Sequence, residues 1–409
     1  MAVNKCDSVQ MESKKSMAPN LLGNIMLGNS ADPVQIISKP VEYHDRTISQ
    51  PQPRIVKVTE TRKPNQSTGP KYKWEIVWRN VIAFIYLHTF GLYGLYLLFN
   101  GCQLKTVYWV LAVIILSGQG ITVGAHRLWA HRTYKAKLPL RIILAFLQTM
   151  AFQNHIYEWV RDHRVHHKFT DTDADPHNAK RGFFFSHMGW LMLKKHKDVF
   201  IKGKTVDLSD LEADPVVMFQ KKFYLVLMPI VCFVFPAFIP WYYWGENWWY
   251  AWYTAVIFRY TLCLNGTWLV NSAAHIWGTR PYDKSIKPTE NRFVAFMAFG
   301  EGWHNYHHVF PWDYKAAELG NYRLNWSTSF IDLMSKIGWA YDLKTASLEI
   351  IQKRIKRTGD GTIKAKDVGD GMHHDHDHDH SDAIWGWGDK DMNEEEKQDV
   401  RIFNKLKET

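Results

Sequence analysis

The sequence predicts an all-α membrane protein with four transmembrane helices in two hairpins and a cytosolic helical cap. Trp, Tyr and Phe make up 15% of its 409 residues. Several windows are long enough to cross a bilayer and contain no charged side chain. Lys and Arg produce a net charge of +10 but lie mostly beside these windows. This is the positive-inside pattern, so the charge does not indicate nucleic-acid binding.

The N-terminal segment, residues 1–70, is polar and rich in Pro, Ser and Lys. It has neither helical nor strand periodicity, and it cannot bury enough apolar surface to order itself. We therefore predict a disordered cytosolic tail. The first residues lack the apolar stretch of a signal peptide, so we expect membrane insertion to begin at the first span.

The first predicted hairpin covers residues 71–126. Within it, residues 81–99 and residues 107–125 contain no Asp, Glu, Lys or Arg. Each helix of this length would extend about 28 Å, which matches a hydrocarbon core of about 30 Å. The linker between them, residues 100–106, is too short for anything but a turn. The second helix therefore returns to the side on which the first began.

The second predicted hairpin covers residues 222–275, with spans at residues 223–244 and 248–274. Prolines in its first span are tolerable because neighbouring membrane helices can satisfy the freed backbone groups. Arg259 in its second span would be costly in lipid, so we expect it to face the helix bundle. Four spans place both chain termini on one side of the membrane.

Histidines recur in two triads with the same spacing. His163, His166 and His167 occupy positions i, i+3 and i+4 in EWVRDHRVHHKFTD, and the spacing repeats in EGWHNYHH. On a helix this spacing places three imidazoles on one face, so we expect each triad to reach a common metal ion. With a pair in GAHRLWAHR and one histidine after the fourth span, the candidate ligands are His126, His131, His163, His166, His167, His275, His304, His307 and His308.

These nine histidines all fall at or after the ends of the second and fourth spans, on one side of the membrane. They suit two metal ions with four or five ligands each. His126 and His131 are five residues apart, about 140° on an ideal helix, so they can share a face only if the helix ends between them. Asn271 lies one turn before His275 and could reach a metal directly or through water.

Ligand type alone does not separate zinc from iron. Structural zinc takes four ligands, often Cys, whereas many histidines without nearby Cys indicate a dinuclear redox centre. Soluble di-iron proteins use paired Glu-x-x-His motifs, and the site region contains only the one that joins Glu301 to His304. The prediction is a histidine-rich dimetal site in the cap, of the all-histidine di-iron type. Asp162, Asp171 and Glu301 would accept hydrogen bonds from the ring N–H groups of these histidines.

The polar segments that form the predicted cap are residues 127–221 and residues 276–358. One apolar stretch, residues 138–152, is short for a span and contains Arg141. We expect it to lie at the membrane interface or to pack under the metal site. Residues 359–409 include the run MHHDHDHDH and are predicted to be a second disordered tail.

The motifs HRLWAH, HRVHH and HNYHH, together with NSAAH at the end of the last span, closely resemble the three histidine boxes of membrane acyl-CoA fatty acid desaturases. This is the stearoyl-CoA desaturase family, and the surrounding sequence resembles its insect branch over residues 71–358. The resemblance implies a mushroom-like helical fold in the endoplasmic reticulum membrane with both termini cytosolic. It also implies two Fe²⁺ ions, O₂, and electrons passed from NADH through cytochrome b5 reductase and cytochrome b5.

The resemblance further implies roles for individual residues. The nine histidines match metal ligands, and Asn271 matches a residue that contributes through water. Gln153, Trp159 and Thr267 match residues that line the bend of an acyl tunnel. The CoA headgroup is held at positions matched by Asn80, Asn154, Arg161, Asp162, Lys194, Lys195 and Trp268. The basic residues of this set suit CoA phosphates.

Three functions stay open at this level. The resemblance favours an O₂-dependent fatty acyl-CoA desaturase of the delta-9 or delta-11 type. A hydroxylase, acetylenase or conjugase on the same scaffold would share every ligand. A membrane zinc-binding or transport protein would need ionisable residues inside the spans, where only His88 and Arg259 occur.

Overall fold

The computed structural model describes residues 74–318, 324–364 and 383–405, which are mostly helical. The predicted N-terminal tail lies outside these residues. Three helices in the described part are long and apolar enough to cross a membrane, and the first three predicted spans lie within them. They are Trp78–Asn100, Leu104–Ala130 and Pro215–Trp244.

The second of these helices changes its geometry along its length. It is α-helical over Leu104–Gln119 and continues as a π-helix over Gly120–Ala130. The backbone N–H of His131 donates to the carbonyl of His126 at 3.1 Å, five residues back, as expected for a π-helix. The third helix also contains a π-helical stretch, Pro229–Val234, that begins at a proline. It ends where Gly245 adopts a left-handed conformation.

The segment predicted as the fourth span is helical but more polar than the other three. It runs through Trp248–Ala251, a π-helix over Trp252–Phe258, and Arg259–Asn271. It is not among the three spanning candidates in the described part of the chain, so the prediction of four spans is confirmed only for the first three. The segment packs very closely on the first helix, since a Cβ on Gly94 would lie 2.1 Å from the Tyr253 carbonyl oxygen.

Arg259 is fully buried inside the helix bundle, as expected. Its guanidinium donates to the carbonyl oxygens of Met150 at 2.9 Å and Cys232 at 2.7 Å. These bonds join the apolar helix Leu138–Ala151 to the third spanning helix. Leu138–Ala151 packs Leu140 and Leu144 into the core beside the π-helix that carries His126, so it supports the histidine region.

The other described elements are short. Several helices begin with a side chain that accepts a backbone N–H, as His155 does from Glu158 and Ser347 from Ile350. The short helices are Ile156–Lys168, Phe183–His187, Lys197–Gly203, Ser209–Glu212, Ala273–Ile276, Arg292–Met297, His304–Val309, Trp326–Lys336, Leu348–Thr358 and Glu394–Gln398, with 3-10 turns at Ala179–Arg181 and Gly189–Met192.

The described residues also form two antiparallel strand pairs. Lys135–Ala136 pairs with Ala340–Tyr341, and Leu343–Ala346 pairs with Val400–Phe403.

The C-terminal segment differs from one prediction made from the sequence. The prediction of a disordered tail over residues 359–409 is wrong for residues 383–405, which dock on the rest of the protein and bury the side chains of Trp385 and Met392. The His/Asp run lies outside the described residues.

Candidate active site

Five imidazoles from three distant parts of the chain converge in a first cluster. The Nε2 atoms of His131 and His163 are 2.8 Å apart, and Nε2 of His307 lies 3.0 Å from that of His126. All five candidate ligand atoms lie within 4.8 Å of one another. The members of this five-histidine cluster are His126, His131, His163, His167 and His307.

Four further imidazoles form a second cluster beside the first. They belong to His166, His275, His304 and His308, and their ligand atoms again lie within 4.8 Å of one another. Nε2 of His304 is 3.0 Å from that of His275 and 3.1 Å from that of His308. The two clusters together contain all nine predicted ligands.

Each histidine triad is divided between the two clusters. His163 and His167 belong to the first, whereas His166 belongs to the second. The expectation that a triad shares one ion is therefore wrong. On a helix the residues at i and i+4 are about 40° apart, but the residue at i+3 is about 100° from i+4. The third imidazole therefore faces the other cluster, and each triad bridges the two clusters.

The π-helix explains how His126 and His131 reach the same cluster. The expectation that the helix ends between them is confirmed, since the π-helix ends at Ala130 and His131 is the residue that follows it. The wider turn of the π-helix also places residues five apart above one another. The ring centroids of His126 and His131 are 4.7 Å apart.

The donor set fits two divalent metal ions. Burial lowers the pKa of His131, His163, His167, His275, His304, His307 and His308 well below the ordinary value, and neighbouring imidazoles lower it further. These rings are therefore neutral at physiological pH, which is the form that binds metal. Converging neutral nitrogens, with no cysteine in either cluster, form a redox-suitable site rather than a typical structural zinc site.

Carboxylates contact two of the rings at Nδ1. Nδ1 of His126 lies 2.9 Å from Glu301, whose other oxygen accepts from Arg127 at 2.8 Å. Nδ1 of His166 lies 3.0 Å from Asp175. Both contacts leave Nε2 directed at the cluster, which is the usual arrangement around a metal-binding histidine.

Only one of the three predicted carboxylate acceptors occupies that role in the structure. Glu301 does, whereas Asp162 binds Arg161 at 2.8 Å and Lys195 at 2.5 Å. Asp171 donates its backbone N–H to Asp175 at 3.0 Å. The segment FTDTDADPHN offers three aspartates, and its sequence does not reveal which one turns toward the ring.

A backbone carbonyl from the C-terminal segment holds a third ring. Nδ1 of His131 contacts the carbonyl oxygen of Trp385. Sequence reasoning missed this residue. The available signal was the motif IWGWG, which is unusually apolar for a polar tail.

An apolar cavity of about 310 Å³ leads to the five-histidine cluster. His126 and His163 form part of its wall, as do Gln153, Trp159 and Thr267. The amide of Gln153 donates to the Thr267 hydroxyl at 2.8 Å, so the three predicted tunnel residues are brought together at the histidines. Asn271 also lines this cavity, whose aliphatic wall includes Leu111, Ile114, Ile115, Val270 and Met297.

The predicted headgroup residues are only partly grouped. Arg161 and Lys195 meet on Asp162, and burial would raise the pKa of that carboxyl, but the two cations hold it below its ordinary value. Lys194 and Lys195 line a small surface pocket together with Arg181. The Arg181 guanidinium lies 3.5 Å from the ring centroid of Trp74, and sequence reasoning missed this stacked cation.

The remaining headgroup candidates have separate local contacts. Asn80 is buried and donates to the Leu191 carbonyl at 2.6 Å. Trp268 is buried, with its ring centroid 5.7 Å from that of His187. The carbonyl of Asn154 accepts from Gln148 at 2.7 Å.

Apolar spanning helices, a dimetal-type histidine site and a long apolar cavity define a membrane protein equipped for metal-dependent chemistry on an apolar chain. A model of the fatty acid desaturase family matches residues 105–326. An acyl-CoA Delta-9 desaturase from Acheta domesticus is 62% identical over 315 residues, which cover 77% of this chain and 87% of the relative.

Further relatives differ in their named products. An acyl-CoA Delta-12 desaturase from Tribolium castaneum is 54% identical over 353 residues, covering 86% of this chain and 98% of the relative. A (11Z)-hexadec-11-enoyl-CoA conjugase from Bombyx mori is 56% identical over 292 residues, covering 71% of this chain and 88% of the relative. The chain belongs to the fatty acid desaturase family.

Proposed function

We propose that this protein is an acyl-CoA desaturase that introduces a double bond into a saturated fatty acyl-CoA while O₂ is reduced to water. The observation that carries this proposal is the apolar cavity whose wall includes two imidazoles of the five-histidine cluster. Its wall extends along one helix from His126 to Leu111, a distance of about 22 Å. This length suits a long acyl chain.

The nine histidines are the proposed ligands of two iron ions, with Asn271 contributing through water. Bound iron would supply the oxidation of an unactivated C–H bond by O₂. The protein itself supplies position, because Gln153, Trp159 and Thr267 shape the cavity beside the histidines. Placement of the reacting carbons decides which bond is attacked.

The CoA headgroup is proposed to be held by Asn80, Asn154, Arg161, Asp162, Lys194, Lys195 and Trp268. Contacts in the structure suggest two kinds of contribution. The Lys195 side chain is nearly buried against Asp162 and Glu158, so it orients neighbouring groups. Lys194 is 60% exposed and pairs with Glu75, so its ammonium can exchange a surface carboxylate for a phosphate.

We further propose that the protein lies in the endoplasmic reticulum membrane and receives electrons from NADH through cytochrome b5 reductase and cytochrome b5. The helical segment over residues 248–271 would be the fourth span. At about 36 Å it is long enough, and its arginine is satisfied by carbonyl oxygens of neighbouring helices. Tags placed at the two termini should both be accessible from the cytosol in sealed microsomes, and protection of either tag would contradict this topology.

The experiment that tests this function measures the double-bond position, since similar relatives carry Delta-9, Delta-11 and Delta-12 names. The full chain should be expressed in cells that lack an endogenous desaturase, beside a His166→Ala control. Mass spectrometry of the extracted lipids should show a new monounsaturated acid at delta-9 or delta-11. A conjugated diene would favour the conjugase alternative, and an unchanged lipid profile with purified protein that contains iron would contradict desaturation.

A further inference from the structure

Residues 383–405, called here the C-terminal clasp, pass directly over a proposed metal ligand. Nδ1 of His131 contacts the carbonyl oxygen of Trp385, and the backbone N–H of Trp387 donates to the carbonyl of His131 at 2.9 Å. The clasp therefore holds both the ring and the backbone of one histidine. These partners lie 254 residues apart in sequence, so only the folded chain brings them together.

The closeness of this approach depends on Gly386. Its φ is +154°, and a Cβ built on it would lie 2.6 Å from the carbonyl oxygen of His131 and 2.7 Å from its Cα. Both contacts are with backbone, which cannot turn aside as a flexible side chain can. A residue larger than glycine would push the clasp away from His131.

Trp385 anchors the clasp to the helix that carries other ligands of the same cluster. Its side chain is 2% exposed, and the guanidinium of Arg164 lies 3.9 Å from its ring centroid. Lys168 reaches Asp389 of the clasp at 3.0 Å. Arg164 and Lys168 belong to Ile156–Lys168, the helix of His163 and His167. The clasp thus joins the elements that hold three of the five clustered histidines.

The far end of the clasp is fixed independently of the histidines. Val400–Phe403 pairs along its whole length with Leu343–Ala346, and Met392 is buried in an aromatic cluster with Tyr306 and Trp312. Sheet pairing and burial therefore dock the clasp, and the contact with His131 follows from that docking.

We propose that the C-terminal clasp is a positioning element for the five-histidine metal site. The Trp385 carbonyl accepts the proton on Nδ1 of His131, which fixes the tautomer with Nε2 free and directed at the cluster. This inference rests on the proposed function, because it assumes that His131 binds iron. Loss of such a ring-orienting partner typically weakens metal affinity about 10–100-fold.

The test compares Gly386→Ala with the unchanged full-length protein purified in detergent. Gly361→Ala is the matched control, since Gly361 also has a positive φ but nothing within 4 Å of its Cβ position. Iron content and the rate of iron release to a ferrous chelator are measured, with Mössbauer spectra of the bound iron. In Gly386→Ala one of the two irons should leave about 10–100-fold faster, with an altered spectrum. The control should match the unchanged protein.

The outcomes separate this inference from the proposed function. An unchanged protein that binds no iron would refute the metal assignment itself. Two bound irons in both proteins, with the same release rates and spectra, would overturn the role of the clasp. If Gly386→Ala does not give a monodisperse protein, Trp385→Ala and Trp385→Phe replace it. Faster release from the alanine variant and restored retention in the phenylalanine variant are then expected, and equal release from both would overturn the inference.

Discussion

The two histidine clusters differ in how their rings are held. In the five-histidine cluster, His126 is backed by Glu301 and His131 by the Trp385 carbonyl, and both partners are remote in sequence. In the four-histidine cluster, His166 is backed by Asp175, only nine residues away. Within the described residues, Nδ1 of His275 has no hydrogen-bond partner, and the same holds for His304 in that cluster and His307 in the other.

This difference follows the position of the apolar cavity. His126 and His163, both from the five-histidine cluster, contribute to the cavity wall. Precise placement of an oxidant matters most where the proposed acyl site lies, and the cluster beside the cavity is the one supported by distant parts of the fold. The four-histidine cluster depends more on local contacts, and we expect it to release its iron first.

The largest effect should come from removing adjacent ligands that serve different clusters. His307→Ala and His308→Ala should each reduce the rate of desaturation more than about 100-fold. This loss exceeds the loss of about 10–100-fold that is typical when a residue that only orients a metal ligand is replaced. Each should retain about one iron per chain, but the Mössbauer spectra of the two variants should differ. Identical spectra would show that the two histidines serve the same ion.

Glu301→Gln should have the next largest effect. The substitution leaves the buried Arg127 without its carboxylate partner at 2.8 Å, and breaking a buried ion pair typically costs about 3–5 kcal/mol. Thermal unfolding in detergent should occur at a clearly lower temperature, with about 10–100-fold weaker iron retention. Glu349→Gln, which removes an exposed pair with Lys353, should change neither quantity. Equal behaviour of the two variants would contradict a supporting role for Glu301.

Asp175→Asn should act on the other cluster and more weakly. The amide keeps an oxygen near Nδ1 of His166 but loses the negative charge, so we expect about tenfold faster iron release. Chelator kinetics should show the faster of two release phases accelerated and the slower phase unchanged. If only the slower phase accelerated, Asp175 would support the other metal site, and this prediction would be contradicted.

The smallest effect concerns pH and a residue outside both clusters. Burial raises the pKa of Glu290 from 4.5 to about 8. The folded protein therefore binds a proton that the unfolded chain releases, and the associated stability is lost as pH rises through about 8. Glu290→Gln keeps an acceptor for the Tyr306 N–H and should show a smaller fall in unfolding temperature between pH 6 and pH 9. Parallel curves for both proteins would contradict this.

The sequence was most informative where one physical requirement dominates. Uncharged windows predicted three spanning helices because lipid excludes charge over a fixed thickness. The segment over residues 248–271 does not meet that criterion because Arg259 and other polar residues lower its hydropathy, although carbonyl oxygens of neighbouring helices satisfy the Arg259 guanidinium. The convergence of nine histidines was also predictable, since spacing and topology place them on one side.

The partition of the histidines depended on three-dimensional detail that spacing does not contain. The angles between positions i, i+3 and i+4 divide each triad, but how the two helices meet decides which members of the two triads share a cluster. The π-helix that aligns His126 with His131 is not signalled by any simple periodicity. The clasp was missed because the charged residues around Trp385 dominate the composition of the tail. The signal for the clasp was the short motif IWGWG, with its two tryptophans and two glycines.

The most direct test of two unequal iron sites is anomalous diffraction at the iron edge from crystals of the purified full-length protein. We predict two iron peaks per chain, one surrounded by His126, His131, His163, His167 and His307 and the other by His166, His275, His304 and His308. A single peak, or a peak bound by all three histidines of one triad, would contradict the account.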